Sequence, residues 1–168
     1  MKRYILTLSL LVVALTLQGA APKAEDSSGA AAFARLKTLV GTWEADTSVG
    51  KVQVKYELIG GGTVLVEHEA GEMPAMMTVY HLDGNRLLLT HYCMAGNQPR
   101  MEARSFNPAT GELEFQFLDA TNLADPNTGH MHSAKLRLID ADHFNSQWEF
   151  YENGKRKMAE GGEYTRVK

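Results

Sequence analysis

The chain has one cysteine, Cys93, among 168 residues. No internal disulfide is possible, so a buried core has to hold the fold together, and in an exported chain a lone thiol is either sheltered or reactive. An apolar run long enough to span a bilayer is also missing: the stretch Tyr4 to Leu17 falls short of the roughly 20 residues a membrane helix needs. Nor is there an excess of positive charge. Lysine and arginine number 17 against 20 acidic residues, a formal net charge of −3, which argues against nucleic acid or an anionic membrane as partner. No Walker pattern or G-x-S-x-G elbow occurs, and Gly60-Gly61-Gly62 joins one strand-like run to another rather than to a helix.

What is present begins with Lys2-Arg3, the apolar run, and the small residues Gly19-Ala20-Ala21. That is the pattern of a secretory signal peptide, with cleavage expected between about residues 20 and 26. Residues 1–24 are therefore expected to be a signal peptide and short linker, and 25–168 a single domain, exported to the periplasm or beyond. Losing Lys2 and Arg3 would take the net charge to about −5. A helix is expected over Ala31 to Val40, where Phe33, Leu36, Leu39 and Val40 form one apolar stripe. From Thr42 onward, short runs rich in Val, Leu, Phe and Tyr alternate with Gly, Asn, Asp and Pro. This rhythm predicts ten strands, at 42–48, 51–59, 63–70, 75–82, 86–94, 100–107, 112–119, 130–139, 143–151 and 155–167. The fold class expected is all-β: an antiparallel up-and-down barrel with the short N-terminal helix plugging one end.

Side-chain parity then assigns faces. A three-residue loop at Gly60-Gly61-Gly62 pairs Tyr56 with Val66 and Val54 with His68, turning His68 inward. A turn at Asp83-Gly84 pairs Tyr80 with Leu87 and Met76 with His91, so that His91 and Cys93 point in and His81 lies outside beside Arg86. Closure at Asn107 to Gly111 sets Ser105 opposite Leu113, Ala103 opposite Phe115, Met101 opposite Phe117, and Arg104 opposite Glu114. The turn at Asp140-Ala141-Asp142 pairs Leu138 with Phe144, Ala134 with Trp148 and His132 with Phe150. The last hairpin has two readings, with Lys157 or Met158 opposite Phe150. The long connection Ala120 to Gly129 is a candidate lid for the barrel mouth.

Gly41-Thr42-Trp43, opening the first strand after a short helix, resembles the G-x-W start of the lipocalin and calycin barrels. In those barrels an arginine late in the last strand packs over the tryptophan, and Arg166 matches. The strand count and helix also resemble the nitrobindin-type barrels, a resemblance that implies haem, although this chain has no histidine after His143. Residues Met77 to Met101 are similar to small exported bacterial barrel proteins of unknown function.

A ten-strand barrel leaves more interior than ordinary side chains fill, so a ligand cavity is expected. Its expected lining is Tyr56, His68, Tyr80, His91, Met101, Phe115, Phe117, His132 and Trp148, with Trp43 and Arg166 structural. The leading function is binding of a small, mostly apolar molecule. A second reading places zinc or haem at His68, His91 and His132, with His130 nearby; each of these is equally readable as a hydrogen-bonded core histidine. A third is a hydrolase or isomerase with His91 or His132 as general base. A Cys93–His91 nucleophile pair is disfavoured, because neighbours two apart on a strand point parallel.

Overall fold

The computed structural model describes residues 28–168, and the expected signal peptide lies outside them. Helix α1 (Gly29–Leu36) begins at Ser28, whose hydroxyl accepts from the Ala31 amide at 3.2 Å, and buries Ala32, Phe33 and Leu36. It continues into a 3-10 turn, Lys37–Leu39. The helix docks on the turn after strand four. A Cβ on Gly29 would lie 2.3 Å from the Asn85 carbonyl oxygen, so only glycine permits this approach.

Ten strands follow: β1 (Gly41–Thr47), β2 (Gly50–Ile59), β3 (Val64–Gly71), β4 (Met76–Asp83), β5 (Arg86–Tyr92), β6 (Gln98–Asn107), β7 (Glu112–Thr121), β8 (His130–Leu138), β9 (His143–Glu152) and β10 (Lys155–Arg166). Each pairs antiparallel with its chain neighbour, and β1 pairs with β10 to close the barrel. Closure rests on two ladder pairs, Trp43 with Arg166 and Glu44 with Thr165. At this end Trp43 is fully buried and donates from its indole to the Leu39 carbonyl at 2.7 Å. The Arg166 guanidinium lies 4.1 Å from its ring centroid and donates to the carbonyls of Thr38, Val40 and Ala141. Gly41 makes room for it: its φ is +130°, and a Cβ there would sit 2.6 Å from an Arg166 Nη atom. Phe144 completes the plug, edge-on to Trp43 and stacked on Tyr164.

Several expected registers are corrected. The β2–β3 loop holds four residues, because Thr63 joins the glycine turn, donating to the Gly60 carbonyl from its hydroxyl at 2.8 Å. Val54 therefore faces Glu69, and Tyr56 faces Glu67. One residue of slip exchanges the faces of the whole strand. His68 leaves the interior, nearly half its side chain in solvent, and meets Glu57 at 3.2 Å on the outer face. In its place Glu67 is buried, at 5 % exposure.

The β4–β5 turn is Gly84-Asn85, one residue later than expected, which moves every cross-strand partner by two and so preserves parity. His91 lies opposite Thr78 rather than a methionine, and His81 opposite Leu88 rather than beside Arg86. Bulges account for the remaining differences. One between Ala103 and Ser105 leaves Ala103 with Phe115 but pairs Phe106 with Leu113, and Glu114 takes Lys135 instead of Arg104. One between Met131 and Ser133 pairs Met131, not His132, with Phe150. One between Arg156 and Met158 joins the two readings of the last hairpin, which starts tight and then places Met158 opposite Phe150.

Candidate functional site

The barrel interior is mostly side chain. Tyr56, Tyr80, Met101 and Phe115, expected as pocket lining, are each at most 3 % exposed and belong to the continuous core with Leu65, Leu89 and Leu113. The space that remains is a cavity of about 40 Å³ at the end away from α1. Its wall includes Glu69, Met76, His91, Met131, Trp148 and Glu160. Of the expected lining, only His91 and Trp148 border it. Phe117 and His132 lie elsewhere, at the separation between β7 and β8, where their rings stack at 5.2 Å.

Strand parity explains the polar character of this cavity. On β3 the inward positions are Leu65, Glu67 and Glu69; on β10, Glu160 sits opposite Trp148. Deeper in the barrel, Glu67 accepts from the Tyr80 hydroxyl at 2.7 Å and from Tyr56. Burial pushes the Glu67 carboxyl above its ordinary range, with the two tyrosine bonds opposing, and burial beside this carboxyl raises both phenols. Glu69 is pushed up to about 7, first by burial and then by the nearby carboxylates of Glu67 and Glu160. Among the described residues no lysine or arginine borders the cavity.

His91 is 4 % exposed and tilted against Trp148 at a centroid distance of 5.0 Å. Its Nδ1 lies 3.0 Å from the Thr78 hydroxyl, while its Nε2 is buried with no hydrogen-bond partner. Burial alone lowers its pKa to about 4, so the ring is neutral at pH 7. The Cys93 thiol is pushed up, chiefly by burial, so it is held as a thiol rather than a thiolate.

His68, His91 and His132 are not brought together: one is on the outer face, one inside and one at the β7–β8 separation. Among the described residues no group of three or more His, Cys, Asp or Glu side chains is placed to hold a metal ion. Nor does the interior cavity fit haem: at about 40 Å³ it is far below the roughly 300–1,000 Å³ of pockets that enclose such groups.

No family model matches the chain, and no curated protein matches it in sequence. Solved structures do. Rv2717c from M. tuberculosis superposes with a TM-score of 0.56 at 14% identity, over 82% of this chain and 98% of that one. A protein of unknown function of the DUF3598 family from Nostoc punctiforme PCC 73102 matches with a TM-score of 0.53 at 17% identity, over 79% of this chain. This chain spans about half of that second protein, 48%. The likeness is one of fold.

The interior carboxylates Glu67, Glu69 and Glu160 were not among the expected site residues. The run Val64 to Ala70 carries polar side chains on either parity, so its hydrophobic pattern alone does not choose which enters the barrel. Thr63, next to the three glycines, is the signal that chooses, by lengthening the turn.

Proposed function

We propose that this protein is an exported, calycin-type barrel that binds a small amine at its open end. The carrying observation is the buried, unpartnered His91 Nε2 in the wall of a cavity that also holds the Glu69 and Glu160 side chains. A cavity of about 40 Å³ has room for a head group of only a few heavy atoms. Carboxylates without a basic neighbour favour a head group that is cationic and rich in donors, and disfavour an anion. Neutral His91 supplies a further hydrogen-bonding nitrogen. The exposed Met73 and Met94, in the loops that border this end, offer apolar surface to the rest of the molecule. Export is supported by the Lys2 to Ala21 pattern, and the calycin assignment by the Gly41, Trp43 and Arg166 arrangement.

Calorimetric titration at pH 8 with benzylamine and hexylamine, set against benzoate and hexanoate, tests this. The amines are expected to bind and the carboxylates not, with Glu69→Gln weakening amine binding about tenfold or more and pH 5.5 doing the same in the unaltered protein. Equal response to amines and carboxylates, or silence with both, would defeat the reading.

A further inference from the structure

A second pocket lies outside the barrel interior. The β7–β8 ladder ends at Gln116 and Ser133, and beyond it the strands separate around the connection 122–129. The resulting notch has a volume of about 400 Å³ and is lined by Phe117, Leu118, Leu123, Pro126, His132 and Tyr151, with Asp119 and His130 at its edge. This volume falls within the range of small-molecule clefts, roughly 300–1,000 Å³.

The hydrogen-bond chain in the notch decides what its one free nitrogen does. His130 Nδ1 is 2.7 Å from the Thr128 carbonyl oxygen, which can only accept, so Nδ1 carries a proton. His130 Nε2 lies 3.1 Å from His132 Nδ1. With His130 neutral, its Nε2 is the acceptor, so His132 Nδ1 donates and His132 Nε2 is left as a bare lone pair. Burial is the chief cause that lowers the His132 pKa and favours its neutral form. Both faces of the His132 ring are covered, by Phe117 and by Tyr151 stacked at 4.4 Å. Only the ring edge is therefore offered to a visitor.

We propose that this notch binds a neutral molecule with a flat apolar body and one O–H or N–H donor, of the phenol or indole class, which donates to His132 Nε2. Apolar contact with Leu118, Leu123 and Pro126 holds the body. The notch offers no free charge to an ion: Asp119, the carboxylate in its wall, is engaged by Arg100 through both guanidinium Nε, at 2.6 Å, and Nη2. Of the two imidazoles only His132 keeps a nitrogen without a protein partner, and among the described residues no three His, Cys, Asp or Glu side chains gather here to hold a metal ion. This site shares no wall residue with the interior cavity, so the two proposals stand or fall separately.

The test titrates the full protein at pH 8 with 2-naphthol and with 2-methoxynaphthalene, which has the same body without the donor. The naphthol is expected to bind about tenfold more tightly, with NMR shift changes centred on Phe117, Leu118 and His132. His132→Phe keeps the ring stack and removes the nitrogen; it is expected to bring the naphthol down to the affinity of the ether, with the melting temperature recorded to confirm that the barrel remains folded. Should that variant fail to fold, the naphthol-to-ether ratio and the shift map on the unaltered protein still decide. Equal affinity for the two probes, undiminished naphthol binding in a folded His132→Phe protein, shift changes elsewhere, or no binding would each overturn the proposal.

Discussion

Glu69 and His91 sit across one small cavity and titrate in opposite senses relative to the unfolded chain. Folding raises Glu69 from its ordinary 4.5 to about 7, so the native state keeps a proton that the unfolded chain releases. Its contribution favours the folded state at low pH and is lost as pH rises through 7. Folding lowers His91 from 6.5 to about 4, so the unfolded chain takes up its proton first and stability is lost on acidification across that interval. Between roughly pH 4.5 and 6.5 the two slopes offset each other. Glu69→Gln removes one of them. Urea midpoints from pH 4 to 8 are expected to show the variant gaining on the unaltered protein as pH rises, by at most about 3 kcal/mol at pH 8 and by little at pH 4.5. Parallel profiles for the two proteins would mean that Glu69 is not held up in the native state.

Most strands are placed within two residues of the expected bounds, because period-two patterning and turn residues are local signals. Faces are harder. On β5, a register shift of two changed every partner yet kept His91 inside, whereas on β3 a register shift of one exchanged His68 for Glu67. An even error preserves parity and an odd one inverts it. With Thr63 deleted, a β2–β3 hairpin that keeps its four-residue turn draws Val64 into the loop and pairs Ile59 with Leu65. It would turn Glu67 outward and drive His68 toward Leu65's neighbours in the core, leaving Tyr80 without its carboxylate partner. The deletion is expected to cost about 3 kcal/mol or more and to broaden the thermal transition measured by circular dichroism. A deletion that melts with the parent would show that the hairpin tolerates either parity.

The barrel as a whole is closed at one seam by very little ladder, and Arg166 reinforces it from outside. Its guanidinium covers the Trp43 ring and bonds three carbonyls, from the turn before β1 and the loop between β8 and β9, so one side chain ties together the first strand, the last strand and the helical plug. Arg166→Ala is expected to remove about 2–4 kcal/mol. Arg166→Lys should recover little of it, since an ammonium cannot fork between carbonyls and stack at once. Hydrogen exchange would locate the loss: amides of residues 41–47 should exchange far faster in the variant, while those of β4 and β5 change least. Uniform acceleration across all strands would show that the seam is not a separate weak point.

Strand number, the order of hairpins, the helix at the head of the chain and the Trp43–Arg166 pairing are all readable in the primary structure, since each depends on near neighbours or on a short motif with a defined partner. Which side of the sheet β3 turns inward, how full the barrel is and where His132 goes are settled only in three dimensions. Each depends on a loop closing with three residues or four, on bulges whose cost is shared between two strands, or on core side chains filling volume together. The β3 carboxylates, Glu67 and Glu69, face inward because one threonine joins a glycine turn, and no stretch of β3 alone carries that information.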